Sequence, residues 1–190
     1  MHLLAGLGNP GATYRGTRHN VGFEALEILA RKNGLDFDQN RFESRVCRGR
    51  IKGVDVLLIQ PQTYMNLSGN AVAKFVNFFK IELEKILVLH DEMDVETGRL
   101  KVSARGGPAG HKGVASIIER LGGGEFARIK IGVGRPVGRM PADSHVLGRF
   151  RPEERESVEN VLVWAAEAAE VFVTQGVVEA QARYNRKDIV

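Results

Sequence analysis

Asn9 and His19 stand ten residues apart near the start of the chain, in MHLLAGLGNPGATYRGTRHNVG. An imidazole has a free pKa of about 6.5, so a histidine can take up and release a proton near neutral pH. An amide can position a carbonyl and stabilise the oxyanion formed from it. Further polar groups come in clusters: Tyr64-Met65-Asn66, His90-Asp91-Glu92-Met93-Asp94, and Gly106-Gly-Pro-Ala-Gly-His-Lys-Gly113, which carries His111 and Lys112. A carboxylate such as Asp91 can fix the tautomer of an imidazole and support the imidazolium that forms. The set lacks a nucleophile of its own. No G-x-S-x-G elbow is present, and the single cysteine, Cys47, lies in a strand-like segment. A histidine, a carboxylate and several amides suit general-base attack by water on an already activated ester.

Taken singly, these residues have plainer readings. Asn9 before Pro10-Gly11 is good turn chemistry. His19 alone reads as a structural histidine. Asp91 could cap the segment after a strand, and Asn66 ahead of Leu67-Ser68 could stand in an N-cap region. Met65 and Phe75 read as core. The glycine-rich loop matches neither G-x-G-x-x-G after the first strand nor G-x-x-x-x-G-K-[ST], so no nucleotide cofactor is expected. The five histidines (His2, His19, His90, His111, His145) show no metal-ligand spacing, and HDEMD fits no calcium loop, so no metal is expected.

The elements that must position these groups follow from periodicity. Residues 2–7 read as a buried strand. A helix runs from about Val21 to Asn33, capped by Asn20 or a neighbour, with Leu26 and Leu29 inward and Gly34 as its stop. Arg45–Lys52 and Val54–Gln60 form an antiparallel hairpin turning at Lys52-Gly53. Ser68-Gly-Asn opens a helix with Val72, Phe75, Val76 and Phe79 on one face. Lys85–His90 is a second buried strand and Arg99–Ser103 another. A helix covers about Val114–Leu121, and Arg128–Val133 is a strand. Pro152 starts a long helix that ends at Gly176, followed by a short helix and a charged tail. Strands alternating with helices predict a three-layer α/β fold, a mixed, mostly parallel twisted sheet with helices on both faces. No linker divides residues 1–190, which read as a single domain. In such sheets ligands bind at the carboxyl ends of the strands, where the polar clusters fall.

Composition narrows the class. At 43% hydrophobic and 26% charged the 190 residues can bury a core. No apolar run approaches the roughly 18–20 residues of a membrane span, and the N-terminus shows no secretory pattern. A lone cysteine suits a reducing compartment, so a cytoplasmic location is expected. Residues 1–150 hold 22 Lys/Arg against 15 Asp/Glu, net +7, while residues 151–190 hold 5 against 8, net −3. Between Arg99 and Arg139 there are nine basic residues: Arg99, Lys101, Arg105, Lys112, Arg120, Arg128, Lys130, Arg135 and Arg139. Only Glu119 and Glu125 oppose them. Such clustering is either a solvated basic surface or the footprint of a phosphate-backbone binder.

The blocks GLGNPG, TRHNVG, PQTYMNLSG, ILVLHDEMD and GGPAGHKG, in this order, resemble the bacterial peptidyl-tRNA hydrolase family. Five ordered blocks are far more specific than any one. The resemblance implies an enzyme that cleaves the ester between a peptide and the 3′ ribose of tRNA, and so recycles tRNA for translation. It implies His19 as general base, Asp91 as the group that orients and supports it, and Asn9 as a discriminator of peptidyl-tRNA from aminoacyl-tRNA. Asn66 would contact the substrate, and Tyr14 and Tyr64 would line the site for the 3′ end. His111 and Lys112 fall with these in the substrate-binding set. One position departs from the pattern. Lys112 stands where many members carry asparagine, and an ammonium donates hydrogen bonds but accepts none. The basic residues Arg99, Lys101, Arg105, Lys130 and Arg135 would meet the acceptor stem, whose duplex is read through backbone and shape. Neither DNA nor a membrane is an expected partner, and the family implies a monomer without metal. Two other readings are a catalytically silent RNA-binding protein on the same fold and a small-molecule esterase. The first would bind tRNA without turnover, and the second would be indifferent to salt.

Overall fold

The computed structural model describes residues 1–185. The charged tail expected at the end lies, from residue 186 onward, outside the described residues. Seven strands form one sheet: β1 His2–Gly6, β2 Gln39–Arg41, β3 Ser44–Ile51, β4 Val54–Pro61, β5 Ile86–Glu92, β6 Leu100–Ser103 and β7 Ala127–Gly132. Their order is β2-β3-β4-β1-β5-β7-β6. The central neighbours β4, β1, β5 and β7 are parallel, and β3 and β6 flank them antiparallel. The mixed, mostly parallel sheet expected from the sequence is therefore present.

Alternation along the strands explains the layers. Leu4 and Leu58 point into one apolar cluster, which also holds Leu26 and Leu29 of α1 (Val21–Lys32) and Val161, Leu162 and Ala165 of α5 (Arg155–Gln175). Leu3, Ala5, Leu57 and Ile59 point into the other, with Val72, Phe75 and Val76 of α2 (Ser68–Phe79) and Val114 and Ile117 of α3 (Lys112–Leu121). A period of two in the strands thus meets a helical period on both faces. Met65 and Phe75 are buried, as read. Among the described residues no helix is long and apolar enough to cross a membrane.

Several expectations need correction. β5 runs on to Glu92, so Asp91 and Glu92 are strand residues rather than lying just beyond a strand that ends at His90. Asn20 occupies the N-cap position of α1, but its side chain makes no cap bond, because it is committed elsewhere. Between the strand expected at Arg128–Val133 and Pro152, where no element is read from the sequence, lies α4 (Ala142–Val146), and the short last helix, α6, is Val177–Tyr184. Pro152 opens a single 3-10 turn, Pro152–Glu154, before α5 begins. The short strand β2 was not expected at all. It joins β3 through Phe42 and Glu43, both with positive φ (48° and 55°), where hairpins usually place glycine or asparagine.

Candidate active site

The site lies at the carboxyl ends of β1 and β5, which are hydrogen-bonded neighbours. β1 delivers the turn bearing Asn9, and β5 delivers Asp91. A 3-10 turn, Arg18–Asn20, carries His19 into α1. Two contacts hold this turn in place. Gly22, at the start of α1, packs so tightly that a Cβ there would lie 2.3 Å from the Leu89 carbonyl oxygen and 2.5 Å from the Leu7 nitrogen. The buried guanidinium of Arg18 donates to the Arg149 carbonyl at 2.6 Å and to Glu154 Oε2 at 2.8 Å, tying the turn to the C-terminal part of the chain.

His19 Nδ1 lies 2.8 Å from Asp91 Oδ1. His111 Nε2 lies 2.8 Å from the same oxygen. The partners assign the tautomers. His111 Nδ1 accepts from the backbone N–H groups of Gly113 (3.1 Å) and Val114 (3.2 Å), capping α3. Its proton must then sit on Nε2, which donates to Asp91. His19 donates through Nδ1, and its Nε2 lone pair remains for a proton from elsewhere. Burial alone would raise the Asp91 pKa. The charge interaction with His111 and the hydrogen bonds from His111 and His19 outweigh it and hold the carboxyl well below the usual range. The neighbouring His90 is fully buried. It donates from Nδ1 to the Asp91 carbonyl at 2.7 Å, and burial, followed by the influence of His111, holds its pKa well below the ordinary value.

Asn9 and Asn20 form a reciprocal pair. The Asn9 N–H donates to Asn20 Oδ1 (2.9 Å), and Asn20 Nδ2 donates to the Asn9 carbonyl (3.0 Å). Asn9 Oδ1 accepts from the Met65 N–H at 2.8 Å. This fixes the orientation of the Asn9 amide and leaves its Nδ2 group without an acceptor among the described residues.

His19 lines two spaces, which also share Lys112, Asp143 and Val146 on their walls. One is a small cavity of about 60 Å³ with Asp91, His111 and Lys112 on its wall. The other is an open cleft of about 420 Å³ lined by Asn9, Tyr64, Asn66, Lys112 and the α4 residues Asp143 and Val146. The structure therefore brings together Asn9, His19, Tyr64, Asn66, Asp91, His111 and Lys112. Tyr14 is different: it is half-buried and lines neither space. Lys112 is exposed and forms an ion pair of 2.7 Å with Asp143, linking the start of α3 to α4. α4 is held in turn by His145 Nε2, 2.9 Å from the Gly134 carbonyl oxygen.

Sequence reading missed the cap made by His111, the pairing of Asn20 with Asn9, and α4 with Asp143. The pattern carried a signal for Asn20 alone, since it directly follows His19. The basic surface also needs correction. Arg128 is buried beneath the glycine-rich loop, where it donates to the carbonyls of Gly106 and Gly107. Lys130 is largely covered and paired with buried Glu92 at 3.0 Å. Arg99, Lys101, Arg105 and Arg135 are exposed. Arg105 follows the end of β6 that pairs with the start of β7, away from the edge bearing His19.

Donor atoms of His19, Asp91 and His111 all lie within 4.8 Å of one another, a set with the residue types of a metal site. The cap on His111 Nδ1 argues for a hydrogen-bonded group instead, because it puts the proton on the nitrogen that would have to bind the ion.

The peptidyl-tRNA hydrolase family model matches residues 3–190. The chain belongs to the peptidyl-tRNA hydrolase family. A peptidyl-tRNA hydrolase of Chloroflexus aggregans is 45% identical over 186 residues, covering 97% of this chain and 99% of that protein. One from Halalkalibacterium halodurans is 40% identical over 185 residues, covering 97% and 100%. Among solved structures, a peptidyl-tRNA hydrolase in complex with N-propanol superposes with a TM-score of 0.94 at 36% identity, covering 100% of this chain and 97% of that one. The Acinetobacter baumannii peptidyl-tRNA hydrolase gives 0.92 at 37% identity, covering 97% and 94%. The likeness spans the whole α/β fold, so each element that carries the site in this chain lies within the matched part of the family.

Proposed function

We propose that this chain hydrolyses the ester between a peptide and the terminal ribose of tRNA, with His19 as general base and Asp91 as its support. The observation that carries this reading is the 2.8 Å His19–Asp91 contact opening into a cleft shared with Asn9, Asn66 and Lys112. Water attacks the ester carbonyl while His19 Nε2 takes its proton. Asp91, already ionised and accepting from Nδ1, supports the imidazolium. The Asn9 Nδ2 group is free to donate to the peptide or to the oxyanion. When the tetrahedral intermediate collapses, the proton on His19 passes to the departing ribose oxygen. A tRNA hydroxyl and a peptide carboxylic acid are left, and the acid releases the second water proton to solvent to become a carboxylate.

Asn66 and Tyr64 contact the substrate from the wall of the cleft, and Lys112 donates where the family usually has an amide. Tyr14 keeps its assignment to the 3′-end site only by resemblance. His111 serves by holding Asp91. Arg99, Lys101 and Arg135 form the basic surface for the acceptor end, Arg105 lies more distant from the site, and Lys130 drops out of that surface. We read the 190 residues as one cytoplasmic, monomeric domain that works without a metal. The experiment that tests this compares N-acetylated with free aminoacyl-tRNA in the presence of EDTA. Selective release from the N-acetylated substrate is expected. Binding of tRNA without turnover would favour a silent RNA-binding protein, and activity lost with EDTA would return the His19–Asp91–His111 set to metal chemistry.

A further inference from the structure

Asn9 lines a second space besides the catalytic cleft. On its other flank lies an open groove of about 790 Å³, walled by Arg15, Glu24, Glu27, Arg45, Gln60 and Gln62. The Asn9–Asn20 pair forms part of the ridge between them, since both residues line the groove and Asn9 also lines the cleft. The groove sits over the ends of β4 and β3. The sheet order therefore lays three regions side by side along one edge: the groove at β3–β4, the His19–Asp91 pair at β1–β5, and exposed Arg99 and Arg135 beside β6–β7.

Charge distinguishes the two flanks. Glu24 and Glu27 would repel a phosphate chain, and the Arg45 guanidinium lies between Glu27 (3.2 Å) and Gln60 (3.0 Å) in exposed contacts that a peptide carbonyl can replace. Two carboxylates, two guanidinium groups and two carboxamides make a wall of mixed donors and acceptors. That suits the alternating N–H and C=O groups of a polypeptide. The opposite flank carries cations that suit phosphates.

We infer that this groove receives the part of the peptide that precedes the ester-linked residue, so that substrate crosses the sheet edge with tRNA over β6–β7 and peptide over β4–β3. This inference rests on the hydrolase reading above and deepens it. The test is the dependence of kcat/KM on peptide length, for one tRNA carrying an N-acetylated residue, a dipeptide, a tripeptide and a tetrapeptide that share the same C-terminal residue. In the wild type, kcat/KM rises with length. In Arg45→Ala, and in Ala12→Trp, which places bulk in the groove from an exposed position, the ratio of tetrapeptide to N-acetyl activity falls by about 3- to 10-fold. That is roughly the worth of one net hydrogen bond. A length-independent wild type, or a ratio unchanged in both variants, would overturn the inference. So would equal losses on all substrates together with weaker binding of uncharged tRNA, since they would put nucleic acid in the groove. Failure of the wild type on every substrate, including the N-acetylated one, would instead sink the hydrolase reading.

Discussion

One oxygen, Asp91 Oδ1, accepts from two imidazoles that come from different parts of the chain. Its partners differ in what they can give up. His111 is locked by its cap, whereas His19 has a free Nε2 facing the cavities it lines. The proton-transfer role therefore falls on His19, and His19→Ala is expected to lower turnover by about 10²–10⁴-fold. Affinity for a tRNA bearing a non-hydrolysable linkage should stay near wild type. Equal losses in rate and affinity would make His19 a structural residue. Asp91→Asn keeps the shape but removes the charge, and a lower rate is expected. It has a second signature. The Asp91 carboxyl is held below its unfolded value of about 3.9. The stabilisation this gives is present above that pH and fades as pH falls, because the unfolded chain binds the proton first. The stability gap between wild type and Asp91→Asn should thus narrow as pH falls from about 5 to 3, as read by urea denaturation. A gap that stays constant would remove the ionised carboxylate from the account.

At the scale of elements, α3 and α1 aim the chemistry. His111 does two jobs that one substitution pair can separate. Asparagine is a good N-cap and alanine is not, a difference of about 0.5–2 kcal/mol. His111→Asn should therefore be more stable than His111→Ala, while both lose the bond to Asp91 and turn over more slowly. Thermal melts and kcat measured side by side check this, and a fully active His111→Asn would reduce His111 to a cap. For α1 the constraint is closeness. Gly22→Ala would drive a Cβ into the Leu89 carbonyl and the Leu7 nitrogen, and a loss of at least about 1–3 kcal/mol is expected from such overpacking. These elements were largely legible. β1, β3, β4 and β7, and helices α1, α2 and α5, follow from apolar periodicity, and Asn9, His19 and Asp91 could be placed at strand ends. What stayed hidden has physical causes. β2 is three exposed polar residues, Gln39–Arg41, with no alternation to read. Its turn uses Phe42, which tolerates positive φ while packed against Phe75 (5.1 Å) and beneath Arg41 (4.6 Å). α4 is too short to show a period. The cap by His111 uses a residue type outside the usual N-cap set.

At the scale of the whole molecule, the question is which of the basic residues can neutralise phosphates. Sequence clustering could not sort them, because β7 is covered on both faces and a cation in that strand can be buried as easily as exposed. Arg128 spends its guanidinium on the backbone of the glycine-rich loop, and Lys130 is held by Glu92. Arg99 and Arg135 also have acidic partners, Glu96 at 3.3 Å and Asp94 at 2.8 Å, but those pairs are exposed and worth little in water. A phosphate can displace them with small loss. tRNA affinity should accordingly fall with salt along a straight log–log line, and the double variant Arg99→Ala/Arg135→Ala should flatten the slope by about one for each contact removed. Arg128→Ala should do the opposite: lower the melting temperature by freeing the Gly106 and Gly107 carbonyls, and leave the salt slope of the folded protein unchanged. Filter binding across a salt series, paired with thermal melts, separates the two classes. A flattened slope in Arg128→Ala at full stability would place that buried side chain on the tRNA surface after all.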